Sequence, residues 1–388
     1  MIRCYFSSFR LYLYSVFIFC FFPKFFAKDD LFCFIYVIGL ILSFLLVGTL
    51  YFSLKKLSSL FIVLVLFRLS FFYQTYCSNG DIFMWGYISI VLLTLCFVFE
   101  VFFPTNPVEF ISVLVNVLLF LSLINLASIL FDFYVPSDGG NIYFMGIRTR
   151  VTDFLLPLCI FSFIENILRK RIFSLKLLLC LLVSVITITY LYVSTAIVGF
   201  IVFFVSFVLY HNRFFYKISN ILFLTIIGLT INYLVINTDF LKFWGWFIED
   251  ILGKHISLSD RTYIWKEAIS IISDSFFVGQ GLQDNGNFVN MGNFLLQSHN
   301  NFLQLFADGG VVTFFLFLCF FFICKRKSDN VVFHKIYIVL LSSLFSFFIM
   351  MITEIFVYTP FYFLLIFFWD NFNKCLSTNR IFPILSDR

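Results

Sequence analysis

Arg150 (with Arg148 beside it), Arg261 and His299 lie in polar connections between long apolar runs, and their types suit phosphate binding and proton transfer. A guanidinium stays charged at any working pH and presents a planar fork that matches phosphate oxygens two at a time. Two such groups at one membrane face can hold a pyrophosphate and stabilise it as a leaving group. His299, in Ser298-His299-Asn300-Asn301 just before an apolar helix, suits either general-base work or a plain hydrogen-bonded cap. The plainer readings of the arginines are that Arg148 or Arg150 pairs with Asp153 at a helix start, and that Arg261 meets a nearby carboxylate. Residues 148 and 150 cannot both face one groove, and Arg150, nearer the next apolar run, is the better placed. Arg68 and Glu354 fall within or at the ends of apolar runs, where ionisable groups are costly and often functional, although both can also snorkel. His255 has no partner pattern and reads as structural. Gly279-x-Gly281 is no phosphate loop, since it lacks the Lys-Ser/Thr ending and the preceding strand.

The chain around these residues has 388 residues, of which 62% are hydrophobic and only 12% charged. A soluble domain carries about 25% charged residues, so an ordinary soluble enzyme is excluded: no packing hides this much apolar surface from water. Phe alone accounts for 63 positions, for which an A+T-rich coding bias is the plain explanation. The formal charge of +5 forms no basic stripe, which argues against a nucleic-acid partner. Most of the ten Cys lie in apolar runs (Cys20, Cys33, Cys96, Cys159, Cys180, Cys319, Cys324), where Cys behaves as a small hydrophobe. Without a CxxC or Cys/His cluster, neither a zinc site nor a disulfide framework is expected, and no metal or cofactor is called for.

The fold class read from this pattern is all-α: a polytopic integral membrane protein, one membrane domain over 1–388, with about twelve transmembrane helices. The apolar runs fall near 11–27, 31–54, 57–73, 83–103, 108–133, 151–168, 172–190, 194–210, 218–237, 302–324, 335–353 and 355–369. The stretch 172–210 is too long for one span and breaks at Tyr192–Ser194. The N-terminal run lacks a small-residue cleavage site and reads as a retained helix rather than a signal peptide. With both termini in the cytoplasm, Arg3 and Arg10, Lys55-Lys56, Arg169-Lys170-Arg171, Arg213 and Lys217, Lys325-Arg326-Lys327, Lys374 and Arg380 all fall on the cytoplasmic side, as the distribution of Lys and Arg requires.

The same parity puts 134–150, the turn at 191–194 and one large loop, 238–308, on the outer side. That loop holds the acids Asp239, Glu249, Asp250, Asp260, Glu267, Asp274, Asp284 and Asp308 against the bases Lys242, Lys254, Arg261 and Lys266, so it is no patch for anionic lipid. A long ordered loop among short ones is usually functional. Phe240–Leu252 has the mixture of aromatic and charged residues of an interfacial helix. Ser259 or Asp260 can cap a second helix with Ile264, Ala268, Ile271 and Ile272 on one face. Gly279 and Gly281 force a turn, the Gly/Asn-rich 285–293 follows, and from about Ser298 a third helix enters the membrane through Asp308-Gly309-Gly310.

Three linked motifs stand in order across 260–323: Asp260-Arg261-x-x-x-Trp265, then Val278-Gly279-Gln280-Gly281-Leu282, then His299-Asn300-x-x-Leu303-Gln304-Leu305-x-x-Asp308-Gly309-Gly310. Together with Gly146-Ile147-Arg148-x-Arg150 they resemble the O-antigen ligase/polymerase superfamily, most closely the polymerases of oligosaccharide repeat units. The resemblance implies a glycosyltransferase of the bacterial inner membrane, working at the periplasmic face on undecaprenyl-pyrophosphate-linked oligosaccharides without nucleotide sugar, cofactor or metal. It implies that Arg261 and one of Arg148/Arg150 bind the pyrophosphate and that His299 orients or deprotonates the acceptor hydroxyl. Trp265, Asn300 and Gln304 become candidate substrate-binding residues, membrane lipids are surrounding partners, and a chain-length regulator is a further partner by analogy. One departure stands out: where the family often has Ser-Arg at the outer end of a mid-chain helix, this chain has Val193-Ser194-Thr195-Ala196.

The leading expectation is therefore an O-antigen polymerase. The alternative is an O-antigen ligase, which uses the same donor but transfers the finished chain to the lipid A core. A flippase or secondary transporter is the reading from another class. It is disfavoured because no inverted repeat is evident and the polar weight sits in one loop.

Overall fold

Short polar residues set where the helices begin. In the computed structural model Asp81 accepts from the Met84 amide (2.8 Å), Asn106 from Glu109 (3.2 Å) ahead of Pro107, and Ser174 from Leu177 (3.1 Å). Each satisfies an amide that a helix start leaves open, which matters most where no water can reach it. The structure describes residues 2–54, 57–137, 140–218, 221–236, 245–246, 249–250, 261–283, 286–291, 294–323 and 331–377.

Seven helices among these are long and apolar enough to cross a membrane, including Asp30–Leu54, Ile82–Phe102, Pro107–Leu130 and Val332–Met350. Four shorter apolar helices, Phe9–Cys20, Leu175–Leu191, Ser194–Leu209 and Ile221–Ile236, pack with them. This is a multi-pass helical membrane protein. The expected break in 172–210 is present: Leu175–Leu191 stops at Tyr192, which takes a left-handed φ of 46°, and the next helix starts at Ser194. The first helix ends at Cys20 rather than near 27, because Pro23 interrupts it, and Lys24–Lys28 forms a separate 3₁₀ turn. The expected second loop helix is found at Arg261–Asp274, with Ile264, Ala268 and Ile272 buried on one face. Two short antiparallel hairpins, Ile142–Tyr143 with Gly146–Ile147 and Val289–Met291 with Phe294–Leu296, modify the all-α expectation. Of the Phe240–Leu252 segment only 245–246 and 249–250 are described. Its remainder and His255, Ser259 and Asp260 lie outside the described residues, as do Lys55-Lys56, Lys325-Arg326-Lys327 and Arg380.

The helix Thr152–Leu168 is buried along almost its whole length and forms the axis of the bundle, whereas Asp30–Leu54 turns Phe34, Ile38, Leu42 and Leu45 outward. In lipid, helices gain little from burying apolar surface against one another, so close packing and interhelical hydrogen bonds decide their contacts. Ser194–Leu209 meets Val331–Met350 at Gly199, where an added Cβ would stand 2.2 Å from the Met350 sulfur and where Ser346 Oγ donates to the Gly199 carbonyl (2.6 Å). Phenylalanine fills many of the remaining interfaces, edge to face where Phe99 meets Phe110 at 4.8 Å and stacked where Phe333 meets Phe372 at 6.1 Å.

The two ends of the bundle differ. At one end, Glu165 pairs with Arg169 (3.0 Å) and Lys176 (2.7 Å), Glu100 with Lys374 (3.2 Å), and Arg10 with Glu109 (2.5 Å). The opposite end carries 24–28, 142–150, 261–283, 286–291, 294–300 and 351–359.

Candidate active site

The Arg261–Asp274 helix places Arg261 and Trp265 one turn apart on one face. Trp265 is fully buried and its indole N–H donates to the Ser298 carbonyl (3.0 Å), the residue before His299. The Arg-x-x-x-Trp spacing thus has a mechanical meaning: the Trp bolts this helix to the histidine segment, and the Arg is carried one turn along toward the same place.

His299 takes a left-handed φ of 49°, a conformation that histidine adopts more readily than most residues but that still costs energy. It is held there from both sides. Ser298 donates through its amide (3.3 Å) and hydroxyl (3.1 Å) to Gln304 Oε1. Asn300 Oδ1 caps the Asn301–Ile323 helix by accepting from Phe302 (3.0 Å) and Leu303 (3.1 Å), while its Nδ2 donates to Asn232 Oδ1 (2.7 Å) and to the Ile352 carbonyl (3.0 Å). The cap is Asn300, and that leaves the imidazole free for another task.

Glu354 comes from the connection after Val331–Met350 and receives Arg261 Nη2 at 3.0 Å, with little of its carboxylate exposed. Asn301 Oδ1 fastens this connection by accepting from Phe356 (2.8 Å) and Val357 (2.9 Å). Arg150 reaches the same connection through the Ile355 carbonyl and reaches Gln297 Oε1 at 3.0 Å. Arg148, on the same 3₁₀ turn, is exposed. Asp153 forms an ion pair with neither arginine among the described residues. Arg150, Arg261, Glu354 and His299 therefore converge at one end of the bundle.

Their fields meet at the imidazole. Burial, then the nearby Arg261 and Arg150 charges, push His299 down to about 4 against an opposing pull from Glu354. The ring is neutral at neutral pH. Its Nδ1 is sealed from solvent and has no hydrogen-bond partner among the described residues, which marks an unfinished site. A bound dianion would raise the ring's proton affinity, because opposite charge favours the protonated form. If the chain transfers sugar from a pyrophosphate-linked donor, as the resemblance implies, kcat/KM, which reports the free enzyme, should stay level as pH falls from 7.5 to about 5, while the acid limb of kcat moves upward in the donor complex. A titration of both parameters checks this, and coincident acid limbs near an ordinary histidine value would refute it.

Trp265, Asn300 and Gln304 are buried with their polar atoms on internal partners. Gln304 Nε2 donates to the Gly286 carbonyl (3.0 Å) and to Asp308 Oδ1 (3.0 Å), and Tyr358 Oη donates to Asp308 Oδ2 (2.5 Å). This ties the histidine segment to the connection that holds Glu354. The Gly motifs complete the frame. The Asn301–Ile323 helix breaks at Gly309 and Gly310, the latter at a φ of 66°. The carbonyls of Ala307 and Asp308 beside that break accept the Gln280 (2.6 Å) and Gly281 (3.0 Å) amides.

Residues 177–318 match the family model described as O-antigen ligase. This match supports the resemblance to the O-antigen ligase/polymerase superfamily. No curated protein and no solved structure matches the chain. Members of the O-antigen ligase family are glycosyltransferase-like enzymes acting on lipid-linked sugars. The matched segment contains Arg261, Trp265, the Gly-x-Gly, His299, Asn300 and Gln304. The other half of the site, Arg150 and Glu354, lies outside the O-antigen ligase match and joins it only through folding. Sequence reasoning overlooked Gln297 and Asn232 and found no task for Glu354. Neither amide carries a local signal, whereas an acid at the end of an apolar run did mark Glu354.

Proposed function

We propose that this chain is an O-antigen polymerase, joining undecaprenyl-pyrophosphate-linked oligosaccharide repeat units at the periplasmic face of a bacterial inner membrane. The observation that carries the reading is the convergence of Arg150, Arg261 and His299 at one end of a helical bundle, with two of the three inside the O-antigen ligase segment. In this reading the guanidinium groups hold the donor pyrophosphate, and Glu354 and Gln297 aim them. The acceptor hydroxyl oxygen bonds to the anomeric carbon as the bond from that carbon to phosphate breaks. The leaving electron pair stays on the pyrophosphate, and His299 takes the acceptor proton. Positioning and charge stabilisation suffice because the leaving group is good. Trp265, Asn300 and Gln304 build the frame around the reacting groups, and Arg148 lies at its margin. A topology of about twelve spans with both termini cytoplasmic agrees with the basic residues gathered at the far end. A chain-length regulator is a fitting partner.

The ligase is the second reading, favoured by the description of the matched family. Against it stands Val193-Ser194-Thr195-Ala196, which supplies no arginine at the head of the Ser194–Leu209 helix. Deleting the gene, complementing it and resolving the lipopolysaccharide on a gel separates the two. A polymerase deletion leaves core plus one repeat unit. A ligase deletion leaves bare core, with polymer stranded on the lipid carrier, and that pattern would overturn the polymerase assignment.

A further inference from the structure

Lys24 is hidden in the sequence inside an apolar run, yet the fold brings it to the site. Pro23 ends the first helix early, and the Lys24–Lys28 turn docks on the 142–147 hairpin, where the Phe25 amide donates to the Phe144 carbonyl (3.2 Å). That hairpin leads straight into Arg150. Gly146 lies between the two cations: a Cβ placed on it would stand 3.5 Å from Lys24 Cδ and 4.0 Å from Arg150 Cβ. The side chain reaches the surface and forms no ion pair among the described residues; desolvation, then the Arg150 charge, lower its proton affinity, and Asp153, within electrostatic range of both cations, raises it. Two cations held beside each other repel, a cost that Asp153 offsets only in part because it forms an ion pair with neither.

The charges at the site show what a third cation would do. Arg261 is already offset by Glu354 at 3.0 Å, and the forks of Arg150 are shared with Ile355 and Gln297. The departing pyrophosphate carries one more negative charge than the bound diester, so an uncommitted cation gains most at the transition state. An ammonium on a four-carbon stem can follow that charge as it develops.

We propose that Lys24 is the third cation of the pyrophosphate cradle, contacting the phosphate oxygens of the donor and stabilising them as the glycosidic bond breaks. The inference rests on the glycosyltransferase reading above. The same ammonium chemistry would also fit a bulk phospholipid headgroup, a role in which Lys24 only anchors the turn at the membrane surface.

The test uses the full-length protein in nanodiscs of a single zwitterionic phospholipid, assayed with lipid-pyrophosphate-linked donor and with inorganic pyrophosphate as competitor. Lys24→Met should lower kcat by about ten- to a hundredfold and weaken pyrophosphate inhibition to a similar degree, whereas Lys24→Arg should recover most of both. Abundance and Tm of all three proteins are measured alongside. If Lys24→Met keeps wild-type kcat and inhibition, or loses activity only in step with abundance, the lysine is a headgroup anchor and the proposal is overturned while the glycosyltransferase reading stands. If wild type neither transfers nor is inhibited, the glycosyltransferase reading fails and the role of Lys24 with it.

Discussion

Arg261→Ala should lower kcat/KM by about a hundred- to a thousandfold and remove the long-chain ladder from the host lipopolysaccharide. On the function proposed above, the loss has two sources. The cation facing the pyrophosphate disappears, and Glu354, barely exposed and bound to Arg261 at 3.0 Å, is left as an unpaired carboxylate pointing at a dianionic substrate. Adding Glu354→Gln to Arg261→Ala removes that repulsion and should recover about tenfold, so the double variant is more active than the single one. Glu354→Gln alone should cost less than Arg261→Ala, because the amide oxygen still accepts from the guanidinium. Initial rates on the four proteins at matched abundance close the cycle. Full activity in Arg261→Ala, or a double variant no better than the single, would remove this pair from the chemistry.

The second large effect is on folding. At Gly281 the backbone has a φ of +80°, and an added Cβ would stand 2.4 Å from the Thr75 backbone nitrogen, with no flexible side chain to yield. The residue also donates to the Asp308 carbonyl beside the break in the Asn301–Ile323 helix. Gly281→Ala therefore costs about 1–2 kcal/mol for the left-handed backbone alone, plus the clash. Abundance should drop several-fold, since a loss of that size shifts the folded fraction strongly. Gly86→Ala is the control: nothing lies within 4 Å of its added Cβ, and in a helix Ala is favoured over Gly by about 1 kcal/mol. Fluorescence of a C-terminal fusion and Tm in detergent read both variants. Equal accumulation of the two would mean that the Gly-x-Gly segment is not needed to repair the broken helix.

Periodic and local features were legible in the chain. Uninterrupted apolar runs can only be satisfied by helices in lipid, so the class of fold follows from composition. The left-handed Tyr192 ends a helix where two spans had to be divided. The spacing of Arg261 and Trp265 puts both on one helix face wherever that helix goes, and His299 stands just before a span in any arrangement of the others. The choice between Arg148 and Arg150 was only partly legible. Their alternation said that one of them faces the site, but the contacts of Arg150 with Ile355 and Gln297 decided which.

Other features came only with the tertiary structure. Glu354 meets Arg261 across 93 residues of chain, and Lys24 comes to lie on the Arg150 side of the bundle against a hairpin that short polar residues did not announce. The family resemblance made Asn300 and Gln304 candidate substrate-binding residues. Here they are buried and their hydrogen-bonding atoms are turned to the frame. Spacing reports which residues share a face of one helix, because the backbone repeat is local and regular. Which faces then meet depends on packing among many helices, and no periodicity along the chain records that.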